Sequence, residues 1–115
     1  MDISQYKNVT LLDHPLLKHK ISILRDKNTP TSQFRQIVKE VAVMEGYEAL
    51  KDVKTHLVEI ETPIEKTKQP MIEGSHLCFV PILRAGMGMV DGMTELVPTA
   101  KVGHIGLYRD EVTHE

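Results

Sequence analysis

A chain of 115 residues is long enough for one domain and buries roughly two-thirds of the surface its unfolded form exposes, so a hydrophobic core forms without disulfide or metal staples. Its 14 basic and 16 acidic residues give a formal charge of −2 and are mixed along the sequence, which leaves no cationic stripe for a nucleic acid or a membrane surface. The start, MDISQYKN, lacks a basic-then-apolar leader pattern, the longest apolar run, LCFVPIL, is far shorter than the ~20 residues that cross a bilayer, and a lone cysteine, Cys78, lies inside that run; a soluble cytoplasmic protein with a buried, reduced thiol is expected.

In chain order, the first element expected is a helix. Leu16, Leu17, Lys20, Ile21 and Leu24 recur at three- and four-residue steps after Asp13, a candidate cap, and Pro15, a first-turn proline. A second helix is expected over 31–50, with Phe34, Ile37, Val38, Val41 and Ala42 on one face and start signals at Thr29, Pro30 and Thr31. Both stripes read as core packing. From 53 to 64 the period shifts toward two, with Val58 and Ile60 between polar neighbours, so a half-exposed strand broken at Pro63 is expected. Residues 66–74 read as a polar loop.

The last third changes character. Residues 76–83 are continuously apolar for a strand's length, 87–96 fit a short helix, and 101–108 form a second strand candidate through Val102, Ile105 and Leu107. Strand, helix and strand in this length match a right-handed crossover unit, which makes the two strands parallel. Ligands of open parallel sheets bind beyond the carboxyl ends of the strands. Arg84 follows the first strand there and Arg109 the second.

Between strand and helix stands CFVPILRAGMGMVDGM. Gly86 and Gly88 permit a tight turn with little bulk, so backbone N–H groups and the positive end of the next helix can approach an anion. Arg84 adds a planar, multi-donor cation suited to phosphate oxygens. A phosphate or pyrophosphate cradle is one reading; the other is that the glycines serve tight packing and Arg84 pairs with Asp91 or Glu95. Gly86, Gly88 and Gly92 give G-x-G-x-x-x-G, which departs from the dinucleotide fingerprint, and no Gly-Lys-Ser/Thr follows for a nucleoside triphosphate loop.

The run VPILRAGMGMVDGMTELVPTAKVGHIGLYRDE, with HPLLKHKISILRD and FRQIVKEVAVMEGYEAL before it, resembles the amino-terminal half of uracil phosphoribosyltransferases. The resemblance covers nearly the whole chain and implies an α/β fold: a type I phosphoribosyltransferase-like parallel-sheet core with a hood of helices and a β-ribbon, of which the first half is present. It divides the chain into 1–75, helices and ribbon of the hood and dimer region, and 76–115, the first strand–helix–strand unit of the core. It further implies UMP formation from uracil and 5-phosphoribosyl 1-diphosphate, with Arg84 and Arg109 as catalytic contacts to the donor and Ala85 and Gly86 in the loop facing its pyrophosphate. Gly88, Tyr108 and Asp110 are further candidates at that site. Mg²⁺ bound with the donor, GTP as an allosteric activator and a homodimer or higher homo-oligomer come with the same resemblance.

The family's acidic, glycine-rich segment of the D-P-M-L-A-T-G-G type and its uracil-recognising loop have no counterpart in these residues, so a piece of a longer enzyme is expected, inactive by itself. Two other classes stay open: a noncatalytic dimerisation or interaction fragment, and a general nucleotide-binding crossover unit that would prefer adenine nucleotides. The six histidines, His14, His19, His56, His76, His104 and His114, show no paired ligand spacing, so no protein-held metal is expected. Ser75 and Cys78 have no base partner near them in sequence, which gives nucleophilic catalysis no support.

Overall fold

The computed structural model of this chain describes residues 5–107, 112 and 113. Three helices, α1 (Pro15–Arg25), α2 (Thr31–Ala49) and α3 (Met87–Leu96), are joined by two kinds of strand pair. An antiparallel ribbon comprises β1 (His56–Glu61) and β2 (Lys66–Met71). A parallel layer comprises β3 (Cys78–Phe79), β4 (Ile82–Leu83), β5 (Lys101–Val102) and β6 (Ile105–Gly106), with β3 beside β5 and β4 beside β6.

The helical expectations hold in position and differ in their caps. α1 starts where Pro15 presets the backbone, but the cap is His14, whose Nδ1 accepts the Leu16 amide at 3.1 Å, and Asp13 forms an exposed ion pair with Lys18. α2 begins after Pro30 with no side-chain cap. Thr29 instead donates its hydroxyl to the Ile23 carbonyl at 2.6 Å and ties the end of α1 to the start of α2. Leu17, Ile37 and Val41 form the buried centre, with Leu12, Ile23, Leu24 and Met44 packed around them. Ala42 is completely buried where α2 meets α3.

One charged contact locks this helical layer. Glu40 Oε2 is shielded from solvent and meets Lys20 Nζ at 2.9 Å, as an ion pair outside hydrogen-bonding alignment. Contact with the Lys20 ammonium, helped less by Gln36, holds the Glu40 carboxyl below its ordinary value of 4.5 against the opposing effect of burial. A carboxyl depressed in the folded state adds stability that is complete above the unfolded value and is lost as pH falls through the folded one. Glu40→Gln is therefore expected to lower stability most between pH 6 and 8 and to flatten its further loss below pH 4.5, where the two proteins converge. Urea midpoints across pH for both proteins check this, and parallel acid limbs would rule it out.

The expected loop over 66–74 is corrected: β2 pairs with β1 across six residue positions, from His56↔Met71 to Glu61↔Lys66. Composition hid it because β2 is polar and carries Pro70, whereas its stabilisation comes from cross-strand partners such as Glu59↔Lys68 and from a tight turn. In that turn the Thr62 hydroxyl donates to the Glu65 carbonyl at 2.7 Å and accepts the Glu65 amide at 3.0 Å.

The single strand expected over 76–83 is also corrected. Gly74–His76 is a 3-10 turn, and the strand is split into β3 and β4 at Val80 and Pro81. Pro81 has no N–H to give to a ladder, which interrupts regular pairing. Its carbonyl still accepts the Ile105 amide at 3.1 Å, and Phe79 accepts the Gly103 amide at 2.9 Å. Cys78↔Lys101 and Ile82↔Ile105 share one offset, so the four short strands are a single irregular parallel pair in one register. Cys78 is exposed, contrary to the buried thiol expected: exposure alternates along 77–83, and Cys78 falls on the open side with Val80 and Ile82. Among the described residues no helix is long and apolar enough to cross a membrane.

Candidate functional site

β4 runs out at Leu83, and Arg84, Ala85 and Gly86 turn the chain directly into α3. The Leu83–Arg84 peptide is cis. The Gly86 amide donates back to the Ile82 carbonyl at 2.8 Å, and the Met87 amide donates to the Arg84 carbonyl at 3.1 Å. The turn is thus folded onto the end of its own strand.

Gly86 has φ −76° and ψ −9°, a conformation open to any residue. Space is what demands glycine: an added Cβ would lie 2.9 Å from the Ile82 nitrogen and 3.0 Å from its carbonyl oxygen. Gly88 answers a different need. It sits in the first turn of α3, where a Cβ would meet Val38 Cγ1 of α2 at 3.3 Å, so its smallness serves helix packing.

The electrostatics of the turn are one-sided. No acidic residue occupies the first turn of α3, and among the described residues no carbonyl takes the amides of Ala85 and Gly88. These amides lie at the positive end of a helix, an arrangement suited to an anion. Arg84 is exposed and forms no ion pair with any described residue. The bland alternative, Arg84 held by Asp91 or Glu95, does not occur: Glu95 binds Lys39 of α2 at 2.5 Å. That contact raises the Lys39 ammonium above its ordinary value, with the nearby charge of Asp91 adding to it. Sequence reasoning overlooked Lys39, whose only signal was its place on α2; it takes up Glu95 at the opposite end of α3 from Arg84.

Arg84, Ala85 and Gly86 are therefore brought together at the carboxyl end of the parallel layer, with Gly88 one helical step behind. Arg109, Tyr108 and Asp110 lie outside the described residues. The strand leading toward them, β6, is parallel to β4 and sets Gly106 opposite Leu83. Among the described residues no group of three His, Cys, Asp or Glu side chains converges as a metal site.

Two clefts lie elsewhere, beside α1 and α2. One of about 660 Å³ is lined by Leu11, Leu16, Val43, Tyr47 and Leu96, beside α1 and the end of α2. A bound diphosphate is best served by an open, donor-rich rim rather than an apolar groove, so the glycine turn is the stronger candidate for chemistry.

The sequence matches the family described as Uracil phosphoribosyltransferase over residues 11–115. A protein of Clostridium botulinum named uracil phosphoribosyltransferase is 58% identical over 105 residues, covering 91% of this chain and 50% of that protein. One of Thermoanaerobacter sp. with the same name is 52% identical over 108 residues, covering 94% of this chain and 51% of its own length. A solved structure of a protein from Aquifex aeolicus superposes with a TM-score of 0.87 at 40% identity, over 92% of this chain and 51% of that one. The chain spans about half the length of the relatives it matches, and by the extent of the family match it belongs to the uracil phosphoribosyltransferase family.

Proposed function

We propose that this chain supplies the diphosphate-binding half of a uracil phosphoribosyltransferase site, which forms UMP and diphosphate from uracil and 5-phospho-α-D-ribose 1-diphosphate in pyrimidine salvage. The observation that carries the reading is an Arg84 guanidinium without a carboxylate partner among the described residues, on a glycine turn at the carboxyl end of parallel strands. In the reaction the bond from the anomeric carbon to the diphosphate oxygen breaks, a bond to a uracil ring nitrogen forms, and that nitrogen loses its proton. Positive charge develops on the ribose and negative charge on the departing diphosphate. Donors already fixed around the diphosphate, namely the Arg84 guanidinium and the Ala85 amide with Gly86 allowing close approach, stabilise that charge without reorganising. Arg109 serves the same diphosphate in this reading, with Tyr108, Asp110 and Gly88 at its margin.

Mg²⁺ would come with the donor rather than from a protein-held site and would supply neutralisation of the departing diphosphate's charge, as suits a cation that keeps most of its waters and takes few protein ligands. Residues 1–75 act as hood and dimer region, and 76–115 as the first unit of the catalytic core. The exposed apolar side chains Leu11, Leu16 and Tyr47 around the cleft beside α1 support self-association into a homodimer. GTP as an activator and a cytoplasmic setting belong to the same reading, and both rest on the family alone.

The test joins this chain to the remaining residues of the Clostridium botulinum relative and measures UMP formation from uracil. The joined protein is expected to turn over and the 115-residue chain to give none. Turnover by the short chain, or none by a folded joined protein, would overturn the reading. The exposed groove favours one other reading, a noncatalytic dimerisation fragment. In that case diphosphate would leave hydrogen exchange of the 84–88 amides unchanged, whereas the enzyme reading expects them to be protected.

A further inference from the structure

We propose that Val38 of α2 is a positioning residue for the diphosphate donors: through Gly88 it sets where the first turn of α3 stands, and with it the amides at the end of β4. The proposal rests on the reading of the glycine turn as a diphosphate cradle. α2 and α3 meet along two rows of equal spacing. An added Cβ at Gly88 would lie 3.3 Å from Val38 Cγ1, one at Gly92 3.0 Å from Ala42 Cβ, and one at Gly46 2.9 Å from Leu96 Cδ1. Val38, Ala42 and Gly46 thus stand opposite Gly88, Gly92 and Leu96, four residues per step on both helices, so the helices run parallel with their i, i+4 rows side by side.

The three contacts differ in stiffness. At Gly92 the nearest atom is the Lys39 carbonyl oxygen, 2.5 Å from an added Cβ, and this approach to backbone fixes how far apart the helices lie. At Gly46 the neighbours are the far ends of Met93 and Leu96, which can rotate. One stiff contact leaves α3 able to rock about it. Val38 lies one turn, about 6 Å, toward the amino end and supplies the second. Its side chain is β-branched, so in a helix it keeps nearly one rotamer and its methyls do not swing aside. Val38 also stands apart from the core between α1 and α2: Ile37 and Val41 are buried with Leu17, whereas Val38 is half-buried one position round the helix. In sequence it reads as one more member of the apolar stripe, and only α3 gives it a separate task.

That task is to hold donors that have no partner of their own. Among the described residues no carbonyl takes the amides of Ala85 and Gly88. On the strand side the turn is tied down by the Gly86 amide, which donates to the Ile82 carbonyl at 2.8 Å. The first turn of α3 is therefore held between the end of β4 and Val38. A methyl at Gly88 would force a shift of a few tenths of an ångström at that contact, and preorganised donors lose effect when they are misplaced.

Four versions of the chain joined to the remaining residues of the Clostridium botulinum relative test this: the parent, Gly88→Ala, Val38→Ala and the double variant. Affinity for inorganic diphosphate is measured by calorimetry, with urea midpoints to establish that each version is folded. Gly88→Ala is expected to weaken diphosphate binding about three- to tenfold, because its methyl meets Val38 and lifts the turn. Val38→Ala should weaken it about two- to threefold by letting the turn rock. The double variant should bind within about twofold of the parent, since the new methyl occupies space that Val38 vacates. Equal affinity in all four folded versions would make Val38 a packing residue and overturn the proposal, whatever the urea midpoints do. A double variant as weak as Gly88→Ala would mean that the added methyl blocks the anion directly, which overturns it too. UMP formation by the parent is read in parallel. The compensating pattern in a protein that makes no UMP keeps Val38 in its role and removes the uracil reading. UMP formation with four equal affinities does the reverse, and a parent that binds no diphosphate overturns both.

Discussion

Arg84→Ala, placed in the chain joined to the remaining residues of a full-length relative, is expected to lower kcat/KM for the phosphoribosyl donor by about 30- to 1,000-fold, or about 2–4 kcal/mol of transition-state stabilisation. The size follows from the charge that the guanidinium is proposed to meet. In the proposed reaction the diphosphate already carries charge in the ground state, and bond breaking at the anomeric carbon adds more to the oxygens that Arg84 is proposed to meet. A donor held in place gains in that step, whereas water would have to reorient. The larger share of the loss should therefore fall on kcat, with KM for the donor raised less. Arg84→Lys separates charge from geometry: it keeps a cation but loses the planar fork, and should recover only part of the rate. Uracil binding is not expected to change, because nothing in the turn is assigned to the base. Steady-state kinetics on both variants, with circular dichroism to establish an unchanged fold, check this. An unaltered kcat/KM in Arg84→Ala would remove Arg84 from the reaction.

The helices were legible because their signals are local. The apolar steps from Ile37 to Ala42 and the start at Thr31 placed α2 within a residue of its observed end at Ala49. The parallel pairing of the strands around α3 was legible too, since the length of the crossover left few topologies. What failed to show depends on partners distant in sequence. β2 is polar and contains Pro70, and only its register against β1 makes it a strand. The split between β3 and β4 follows from one missing N–H at Pro81, which matters only once a neighbour is there to receive it. At the candidate site the glycines were the hard case. An anion cradle and a tight helix contact both require the absence of a Cβ, so Gly86 and Gly88 look alike in sequence. Coordinates separate them: Gly86 is pressed against the backbone of Ile82 and shapes the turn, while Gly88 faces Val38. Whether Arg84 was free or paired was equally hidden, because ion pairs depend on where carboxylates sit in the folded chain, and Glu95 lies at the far end of α3 beside Lys39.

Gly92→Ala is expected to cost about 1–3 kcal/mol of stability, although alanine is the better helix former by about 1 kcal/mol. α3 lies against α2 through small residues. At Gly92 a Cβ would come within 2.5 Å of the Lys39 carbonyl oxygen and 3.0 Å of Ala42 Cβ. Neither can yield, since one is helical backbone and the other is the completely buried Ala42; α3 has to move off α2. Gly46 provides the control on the opposite helix. Its Cβ would meet the Met93 sulfur and methyl and a Leu96 methyl, far ends of side chains that can rotate away, so Gly46→Ala should be close to neutral once helix propensity is added back. Urea unfolding followed by far-ultraviolet circular dichroism measures both, with an unchanged slope needed for the midpoint to report stability. The consequence reaches the site, because α3 carries the Gly86 turn at its amino end and the Lys39–Glu95 pair joins it to α2. In the joined enzyme Gly92→Ala should therefore lower kcat while its residue touches no substrate, and Arg84→Ala should cost less in that background than in the parent. Additive losses would mean that the glycine contact holds the fold without positioning the guanidinium.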